Sequence, residues 1–199
     1  MADICIRPAS LEDAAAVLAV YTPYVEQTAI TFEWDPPSSA EFRGRMERIL
    51  ETHPFLAAER EGELLGYAYT GPFVGRAAYS WSAETTIYLR MDCRKLGVGG
   101  RLYRALEEVS RARGIRNLYA CIGDPEEEDE YLTRNSQRFH EHMGYGLVGR
   151  FDRCGYKFGR WYHMIWMEKL IGTHEDRPSP VIPFRELPPE ALRAAGIAP

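Results

Sequence analysis

The stretch DCRKLGVGGRLY, residues 92–103, packs three glycines into four residues and lies between two strongly patterned segments. The preceding run AETTIYLRM, residues 83–91, is typical of a β-strand. The following residues, 99–114, place apolar side chains at helical spacing until Gly114 ends the pattern. A strand, a glycine turn and a helix are therefore predicted. The free N–H groups at the start of such a helix lie at the positive end of its dipole, so the turn predicts a phosphate site, with a plain strand-to-helix turn as the alternative.

The glycine spacing is R-x-x-G-x-G-G, starting at Arg94. Because glycine has no Cβ, a phosphate can approach the backbone closely, and Lys95 and Arg101 add positive charge. Two familiar phosphate motifs are excluded. The G-x-x-x-x-G-K-[ST] loop lacks its lysine and its hydroxyl, and the dinucleotide motif started at Gly97 needs a glycine where this chain has Leu102.

The composition limits the function classes. The chain has 199 residues, of which 45% are hydrophobic and 27% charged, and a net charge of −5. These values are typical of a soluble globular protein without the basic excess of a nucleic-acid binder. No apolar run reaches the ~18 residues that span a membrane, and the N-terminus lacks a signal-peptide pattern. We therefore expect a cytoplasmic protein without nucleic-acid or membrane partners. The four cysteines are widely spaced and form no C-x-x-C pair, so no metal is expected.

The periodicity predicts the order strand, two helices, three strands, helix, strand, helix and two strands. The middle three strands are linked too tightly for parallel crossovers, which favours a mixed α/β (α+β) sheet over a doubly wound one. We expect Pro23 to interrupt the first helix. One domain is predicted over residues 1–171. A proline-rich tail, residues 172–199, follows it and is expected to be extended, with a short helix near its end.

Several blocks resemble those of the GNAT-type N-acetyltransferases. They include SAETTIYL, GVGGRLYRAL at the glycine turn, FHEHMGY and CGYKFGRWYHMIWME, in the order of that family. The match is closer still to the phosphinothricin acetyltransferase branch, and it runs from about Ile4 to Lys169. The resemblance implies a twisted, mostly antiparallel sheet of about seven strands with about four helices, splayed between the fourth and fifth strands.

The resemblance also implies that acetyl-CoA lies in this split as the acetyl donor. The acceptor would be the primary amine of a small molecule, such as an amino acid or a close analogue, and a homodimer is expected because family members commonly pair. The pantetheine arm would bond to the main chain of Ile87, Tyr88 and Leu89. The other residues implied in donor binding are Arg94, Lys95, Leu96, Gly97, Val98, Gly99, Gly100, Arg101, Asn135 and Ser136.

Two residues are implied in catalysis. Glu84 matches the family's catalytic glutamate and is the lone acid in a strand-like run, where burial would raise its pKa towards that of a useful base. An outward-facing strand residue is the alternative. His140, in FHEHMGY, is expected to be a general acid or a relay member, with a packed helix residue as the alternative. The negative charge on the reacting carbonyl would be stabilised by a main-chain N–H at a strand bulge near Tyr88 and Leu89.

The resemblance places three residues around the acceptor: Phe32, Arg76 and Tyr79. An arginine there would pair with a carboxylate or phosphinate. A solvated loop charge is the alternative for Arg76, and Tyr103 could reach either the donor or the acceptor.

The chain departs from the family pattern before its last helix. The loop GDPEEEDEYLTRNS, residues 123–136, is longer and acidic, and Thr133 stands where the family has an asparagine. The acidic run is either a solvated loop or a feature that prefers a cationic acceptor, such as a polyamine or a basic peptide. His163 replaces the acid of the family's W-x-D segment. A non-catalytic acyl-CoA-binding module on the same fold stays open as the alternative to an enzyme.

Overall fold

Seven strands form one sheet in a computed structural model that describes residues 3–93 and 96–198. The strands are β1 (Cys5–Pro8), β2 (Phe55–Arg60), β3 (Glu63–Pro72), β4 (Ser82–Leu89), β5 (Asn117–Asp124), β6 (Gly146–Lys157) and β7 (Arg160–Leu170). Their order across the sheet is β1-β2-β3-β4-β5-β7-β6. All neighbours are antiparallel except β4 and β5, which are parallel. The sheet is therefore mixed and mostly antiparallel, which confirms the prediction.

The helices are α1 (Ala14–Gln27), α2 (Ser39–Leu50), α3 (Val98–Arg113), α4 (Asn135–His142) and α5 (Pro189–Ala194). Strands and helices follow each other in the predicted order. Ser10 starts a 3-10 turn ahead of α1 and forms a capping box with Asp13. The prediction for Pro23 is wrong, because this proline lies inside α1. The proline removes one backbone hydrogen bond. Val20 and Tyr24, on either side of it, are nevertheless buried, and this packing stabilises the helix enough for it to continue past the proline.

Helices cover both faces of the sheet. On one face, α1 buries Val17 and Val20, and α2 buries Phe42 and Met46, in a cluster with residues of β2 and β3. On the other face, α3 buries Leu102, Leu106 and Val109 in the largest apolar cluster. The buried residues of α2 and α3 recur at helical spacing in the sequence. Each helix therefore packs its apolar face against the sheet.

The pairing of β4 with β5 is short. Only Ser82–Glu84 of β4 pair with 117–119 of β5, after which β5 continues beside β7. Among the described residues, the rest of β4 has no strand neighbour on that side. The sheet is thus split between its fourth and fifth strands, as the resemblance implies.

The register of β3 with β4 shows which main-chain groups face the split. Arg90 donates its N–H to the carbonyl of Leu65 at 2.8 Å, and bonded pairs alternate along an antiparallel ladder. The main chain of Tyr88 therefore bonds across to β3. The residues whose N–H and C=O groups point into the split are Thr85, Ile87 and Leu89.

The strand bulge expected near Tyr88 and Leu89 is not found within the described part of β4. The strand keeps one register with β3 from Ala83 to Leu89. Gly66 lies opposite Leu89, and a Cβ on this glycine would lie 2.6 Å from the carbonyl oxygen of Tyr88. The missing side chain lets the two strands approach without an extra residue.

The proline-rich tail packs onto the domain. Phe184, Leu187 and Ile197 are buried in the same cluster as α3, and Ala198 donates its N–H to the carbonyl of Ile6 at 2.8 Å. The tail is extended apart from a 3-10 turn and α5, the predicted short helix. No helix of the described ranges is long and apolar enough to cross a membrane.

Candidate active site

A groove of about 460 Å³ follows the open edge of β4. Ile87 and Leu89 of β4 line it, together with residues at the start of α4. The end of the groove is formed by Gly97, Val98, Gly99 and Gly100. The predicted glycine turn therefore lies at the mouth of the split in the sheet.

The start of α3 is suited to an anionic group. Gly97 takes the left-handed conformation, with φ 75° and ψ 2°, and the helix begins at the next residue. The first N–H groups of α3 have no intrahelical partner and lie at the positive end of its dipole. Arg94 and Lys95, also expected here, lie outside the described residues. Leu96 is exposed, and the guanidinium of Arg101 donates to the carbonyl of Ile4 at 2.7 Å.

The segment leading into α4 completes the groove. Asn135 and Ser136, both predicted for donor binding, line it together with Thr133 and Phe139. Thr133, which stands in the family's asparagine position, is therefore also available to a bound ligand. The sequence did not indicate Tyr24, whose hydroxyl donates to the carbonyl of Leu89 at 2.6 Å and occupies one edge group of β4.

A second cavity of about 240 Å³ adjoins the groove. Ile30, Ile87 and Ser136 line both spaces, so the two are neighbours. This second cavity, called the acceptor chamber below, brings together four residues that the sequence placed in the site: Phe32, Glu84, Tyr103 and His140.

Glu84 lies where β4 and β5 part, as the last residue of β4 that pairs with β5. Its side chain is half-buried and faces the acceptor chamber. Burial raises the pKa of its carboxyl above the ordinary 4.5. A carboxylate held in this way takes up a proton more readily than one in water.

His140 is buried and hydrogen-bonded through both ring nitrogens. Nδ1 lies 2.7 Å from the carbonyl oxygen of Ser136, so Nδ1 carries the hydrogen. Nε2 lies 2.7 Å from the hydroxyl of Tyr103. Burial lowers the pKa of His140 to about 4, against the opposing effect of the Ser136 bond. The ring is therefore neutral near pH 7, and its Nε2 accepts the hydrogen bond from Tyr103.

Tyr103 also lies beside β4. Its hydroxyl is 3.0 Å from Oγ1 of Thr85, which is itself 3.0 Å from the carbonyl oxygen of Tyr119. Because Tyr103 gives its one hydrogen to His140, the single hydroxyl hydrogen of Thr85 serves either Tyr103 or Tyr119 at one time. A chain of polar contacts therefore runs from β5 through β4 and α3 to His140 on α4. Burial raises the pKa of Tyr103 above its ordinary value, so the phenol keeps its proton.

Arg76 and Tyr79 lie apart from this group. Both are exposed in the loop between β3 and β4, and neither lines the acceptor chamber in the described chain. The ring of Tyr79 packs edge-on against Phe73, with centroids 5.5 Å apart. Their assignment to the acceptor stays a prediction.

The acidic loop is largely paired with arginines. Carboxylates of Glu126, Glu128, Asp129 and Glu130 lie within 2.9 to 3.3 Å of Arg153, Arg138 and Arg160. Just beyond these acids, Leu132 is buried and lines the acceptor chamber. The loop thus presents an apolar residue to the chamber and directs most of its charges to partners on the surface.

Metal ligands are not assembled in this region. Within residues 3–93 and 96–198, no group of three or more His, Cys, Asp or Glu side chains could hold a metal ion.

Comparisons with known proteins agree with this geometry. The chain is 34% identical over 180 residues to a phosphinothricin N-acetyltransferase of Streptomyces viridochromogenes, covering 90% of this chain and 92% of the relative. It is 30% identical over 175 residues to an L-methionine sulfoximine/L-methionine sulfone acetyltransferase of Pseudomonas aeruginosa, covering 87% and 98%. A crystal structure of a GNAT superfamily phosphinothricin acetyltransferase from Sinorhizobium meliloti, in complex with AcCoA, matches with a TM-score of 0.80 at 30% identity, covering 88% and 93%.

Residues 6–166 match the family described as the acetyltransferase (GNAT) domain, which is most of the chain. The split sheet, the glycine turn at its mouth and the relatives at 30% identity or more all point the same way. The chain belongs to the GNAT family of acetyltransferases.

Proposed function

We propose that this protein transfers the acetyl group of acetyl-CoA to the primary amine of a small, amino-acid-like molecule, with Glu84 as the general base. One observation carries the proposal. Glu84, whose carboxyl has a raised pKa, lies in a chamber that shares three lining residues with a groove that has the features of a CoA site. Donor and acceptor would therefore meet beside the base.

The groove fits acetyl-CoA on two counts. The N–H and C=O groups of Ile87 and the N–H group of Leu89 can hold an extended amide-containing arm as a neighbouring strand would, while Tyr24 holds the carbonyl of Leu89. The free N–H groups from Gly97 onwards can hold a pyrophosphate. Bound acetyl-CoA supplies the thioester whose carbonyl carbon the amine attacks.

The chamber residues supply the proton chemistry. An amine near neutral pH is mostly protonated, and only the neutral amine has the lone pair that attacks a thioester. The carboxylate of Glu84 removes that proton, directly or through a water. The edge N–H of Ile87 or Leu89 points into the split, where it can donate to the carbonyl oxygen as negative charge develops there.

The departing thiolate is a good leaving group and needs little help. The nearest proton source among the predicted residues is the paired Tyr103 and His140. Because His140 is neutral and its Nε2 is occupied, the phenol of Tyr103 is the member of the pair that carries the shared proton. The phenol can donate to the thiolate if its hydrogen turns away from Nε2 of His140 and towards the sulfur, and this step needs no charged imidazole.

The acceptor class rests on the size of the chamber and on the relatives. About 240 Å³ suits a small molecule, and relatives at 30–34% identity are named for phosphinothricin or for methionine sulfoximine and sulfone. A polyamine is less well supported, because four carboxylates of the acidic loop already pair with arginines.

The test is thiol release from acetyl-CoA with a panel of amines, including phosphinothricin, methionine sulfoximine, methionine sulfone, spermidine and a basic peptide. Turnover of one or more amino-acid analogues is expected, with little turnover of spermidine or the peptide. Tight acetyl-CoA binding without turnover of any amine would contradict the enzyme and favour a binding module. If Glu84→Gln left the rate with the best acceptor unchanged, the base would be misassigned.

We further propose a cytoplasmic homodimer. The four cysteines are free thiols, which supports a reducing compartment. The edge strand β6 and its neighbour β7 expose Leu147, Val148, Phe151 and Trp161, a set of apolar side chains suited to a second copy. Light scattering is expected to give twice the mass of one chain, and Leu147→Glu is expected to shift the mass towards one chain. A monomeric wild type would contradict the dimer.

A further inference from the structure

Lys157 lies at the end of β6, and its side chain is buried, with 2% of the residue exposed. Its Nζ lies 2.7 Å from the carbonyl oxygen of Val25 and 2.9 Å from those of Thr28 and Thr31. Three acceptors around one nitrogen use all three hydrogens of an ammonium, whereas a neutral amine has only two. Lys157 is therefore charged and fully hydrogen-bonded.

Burying this charge inside the protein costs free energy of folding. Burial lowers the pKa of Lys157, and only the charge of Glu33 opposes this effect. Among the described residues the ammonium forms no ion pair. The three main-chain carbonyls and the ring of Phe158, whose centroid lies 5.1 Å from Nζ, compensate the charge directly. An apolar side chain at this position would leave the three carbonyls without their donor.

The three carbonyls belong to one stretch of chain. Val25 lies in the last turn of α1, and Thr28 and Thr31 lie in the segment that follows this helix. The same segment supplies Ile30, Thr31 and Phe32 to the acceptor chamber. We call residues 28–32 the acceptor wall. One ammonium therefore joins the end of a helix to the wall of the chamber.

The hairpin that carries Lys157 supports the wall at two further points. The ring of Phe32 stacks on Tyr162 of β7, with centroids 6.4 Å apart. The same ring covers Gly155 so closely that a Cβ there would overlap it. The position of Phe32 over the chamber thus depends on the hairpin, and Lys157 fixes the backbone immediately before it.

We propose that Lys157 is a positioning residue for the acceptor: its buried ammonium holds the acceptor wall in the conformation that binds the amine substrate. The inference rests on the proposed function, because it concerns the same chamber. It predicts that losing the ammonium weakens acceptor binding much more than donor binding, because Ile30 alone of the acceptor wall also lines the donor groove.

The experiment compares Lys157→Met with Lys169→Met. Lys169 is a matched control, because its Nζ also holds a main-chain carbonyl, that of Met143, at 2.6 Å, together with Glu107 at 2.7 Å, away from the chamber. Both variants are expected to lose stability. Only Lys157→Met is expected to raise the KM for the acceptor, by at least about tenfold (about 1.4 kcal/mol), while the KM for acetyl-CoA stays within about twofold of wild type.

A second measurement needs no turnover. Hydrogen exchange of the amides in residues 28–34 is expected to accelerate in Lys157→Met and to stay at the wild-type rate in Lys169→Met. Unchanged exchange in Lys157→Met would overturn the positioning role, as would equal changes in the two KM values. If wild type turned over no amine, the proposed function would fail while the exchange data still decided the role of Lys157.

If Lys157→Met does not fold, Lys157→Gln replaces it, because an amide keeps two N–H donors. It is expected to show the same selective rise in acceptor KM and the same faster exchange, both to a smaller extent. Wild-type values for both measurements in Lys157→Gln would overturn the proposal.

Discussion

The hydroxyl of Tyr103 lies 2.7 Å from Nε2 of His140, and this bond joins α3 to α4 beneath the acceptor chamber. Because Nδ1 of His140 is held by the carbonyl of Ser136, the direction of the Tyr103 bond is fixed. The imidazole predicted as an acid is thus an acceptor in the resting site. Its partner is Tyr103, for which the sequence analysis predicted only that it could reach the donor or the acceptor.

Tyr103→Phe should remove this bond and leave the buried Nε2 of His140 without a partner. We expect a loss of about 1–3 kcal/mol in the free energy of unfolding, measured by urea denaturation. A fall in kcat with little change in the KM for acetyl-CoA is also expected. Tyr145→Phe is the control: this hydroxyl is buried near Thr85 but lacks a partner in hydrogen-bond geometry within the described chain. Equal effects of the two substitutions would contradict the role of the Tyr103 bond.

Glu84→Gln should lower kcat/KM by about 100- to 10,000-fold, the usual contribution of a general base. In wild type, activity should fall as the pH drops through the raised pKa of Glu84, because only the ionised carboxylate accepts a proton. Steady-state rates measured as a function of pH give this decrease, which is the acidic limb of the pH profile. The exposed loop variant Glu127→Gln should keep the wild-type profile, and retention of the acidic limb in Glu84→Gln would show that another group produces it.

The same substitution should stabilise the protein at neutral pH. A carboxyl with a raised pKa in the folded state contributes its full stability below its ordinary pKa of 4.5, and this contribution is lost as the pH rises through the folded-state pKa. Glutamine carries no charge, so Glu84→Gln should have a higher Tm than wild type at pH 7, with the difference closing below about pH 4. A Tm difference that grew towards acid would contradict the raised pKa.

Gly97→Ala should weaken donor binding. Gly97 has φ 75°, and nothing lies within 4 Å of the position that a Cβ would take, so the change strains the backbone without a collision. A strain of about 1–3 kcal/mol at the phosphate turn should raise the Kd for CoA at least fivefold, measured by calorimetry. Gly62→Ala is matched, with φ 82°, no neighbour within 4 Å and a place in the turn from β2 to β3. It should lower stability and leave the Kd unchanged.

Phe184→Ala tests whether the tail is part of the domain. Phe184 is 8% exposed and contacts the main apolar cluster, so truncation should cost about 3–5 kcal/mol of unfolding free energy. Ile182→Ala, at a residue 40% exposed in the same segment, should cost much less. A near-zero effect of Phe184→Ala would show that the tail is dispensable for the stability of residues 1–171.

Local patterns predicted the elements well, because each depends on residues close in sequence. The glycine turn, the capping box at Ser10 and the stop at Gly114 all appear where expected. The split in the sheet was predicted only from the family resemblance. The residue patterns of β4 and β5 do not indicate how many residues of the two strands are paired. Pro23 was misjudged because burial of its neighbours outweighs the loss of one hydrogen bond.

The parts of the site that could not be predicted depend on contacts between distant residues. Lys157 reaches carbonyls 126 to 132 positions earlier, and a lone lysine beside a Phe-Gly turn is typical of an exposed hairpin. The Tyr103–His140 bond spans 37 positions between two helices. Arg76 was assigned by family position, lies in an exposed loop and stays a prediction for the acceptor.

The pairing of only three residues between β4 and β5 also has a consequence for the lifetime of the protein in a cell. A ligand that bonds the open edge of β4 binds only the folded chain, and at a free concentration of 100 times its Kd it stabilises that chain by about 2.7 kcal/mol. Degradation in a cell follows the small unfolded fraction, so a shift of this size changes protein abundance several-fold. The amount of enzyme would then rise and fall with the supply of its own acetyl donor, without any change in synthesis.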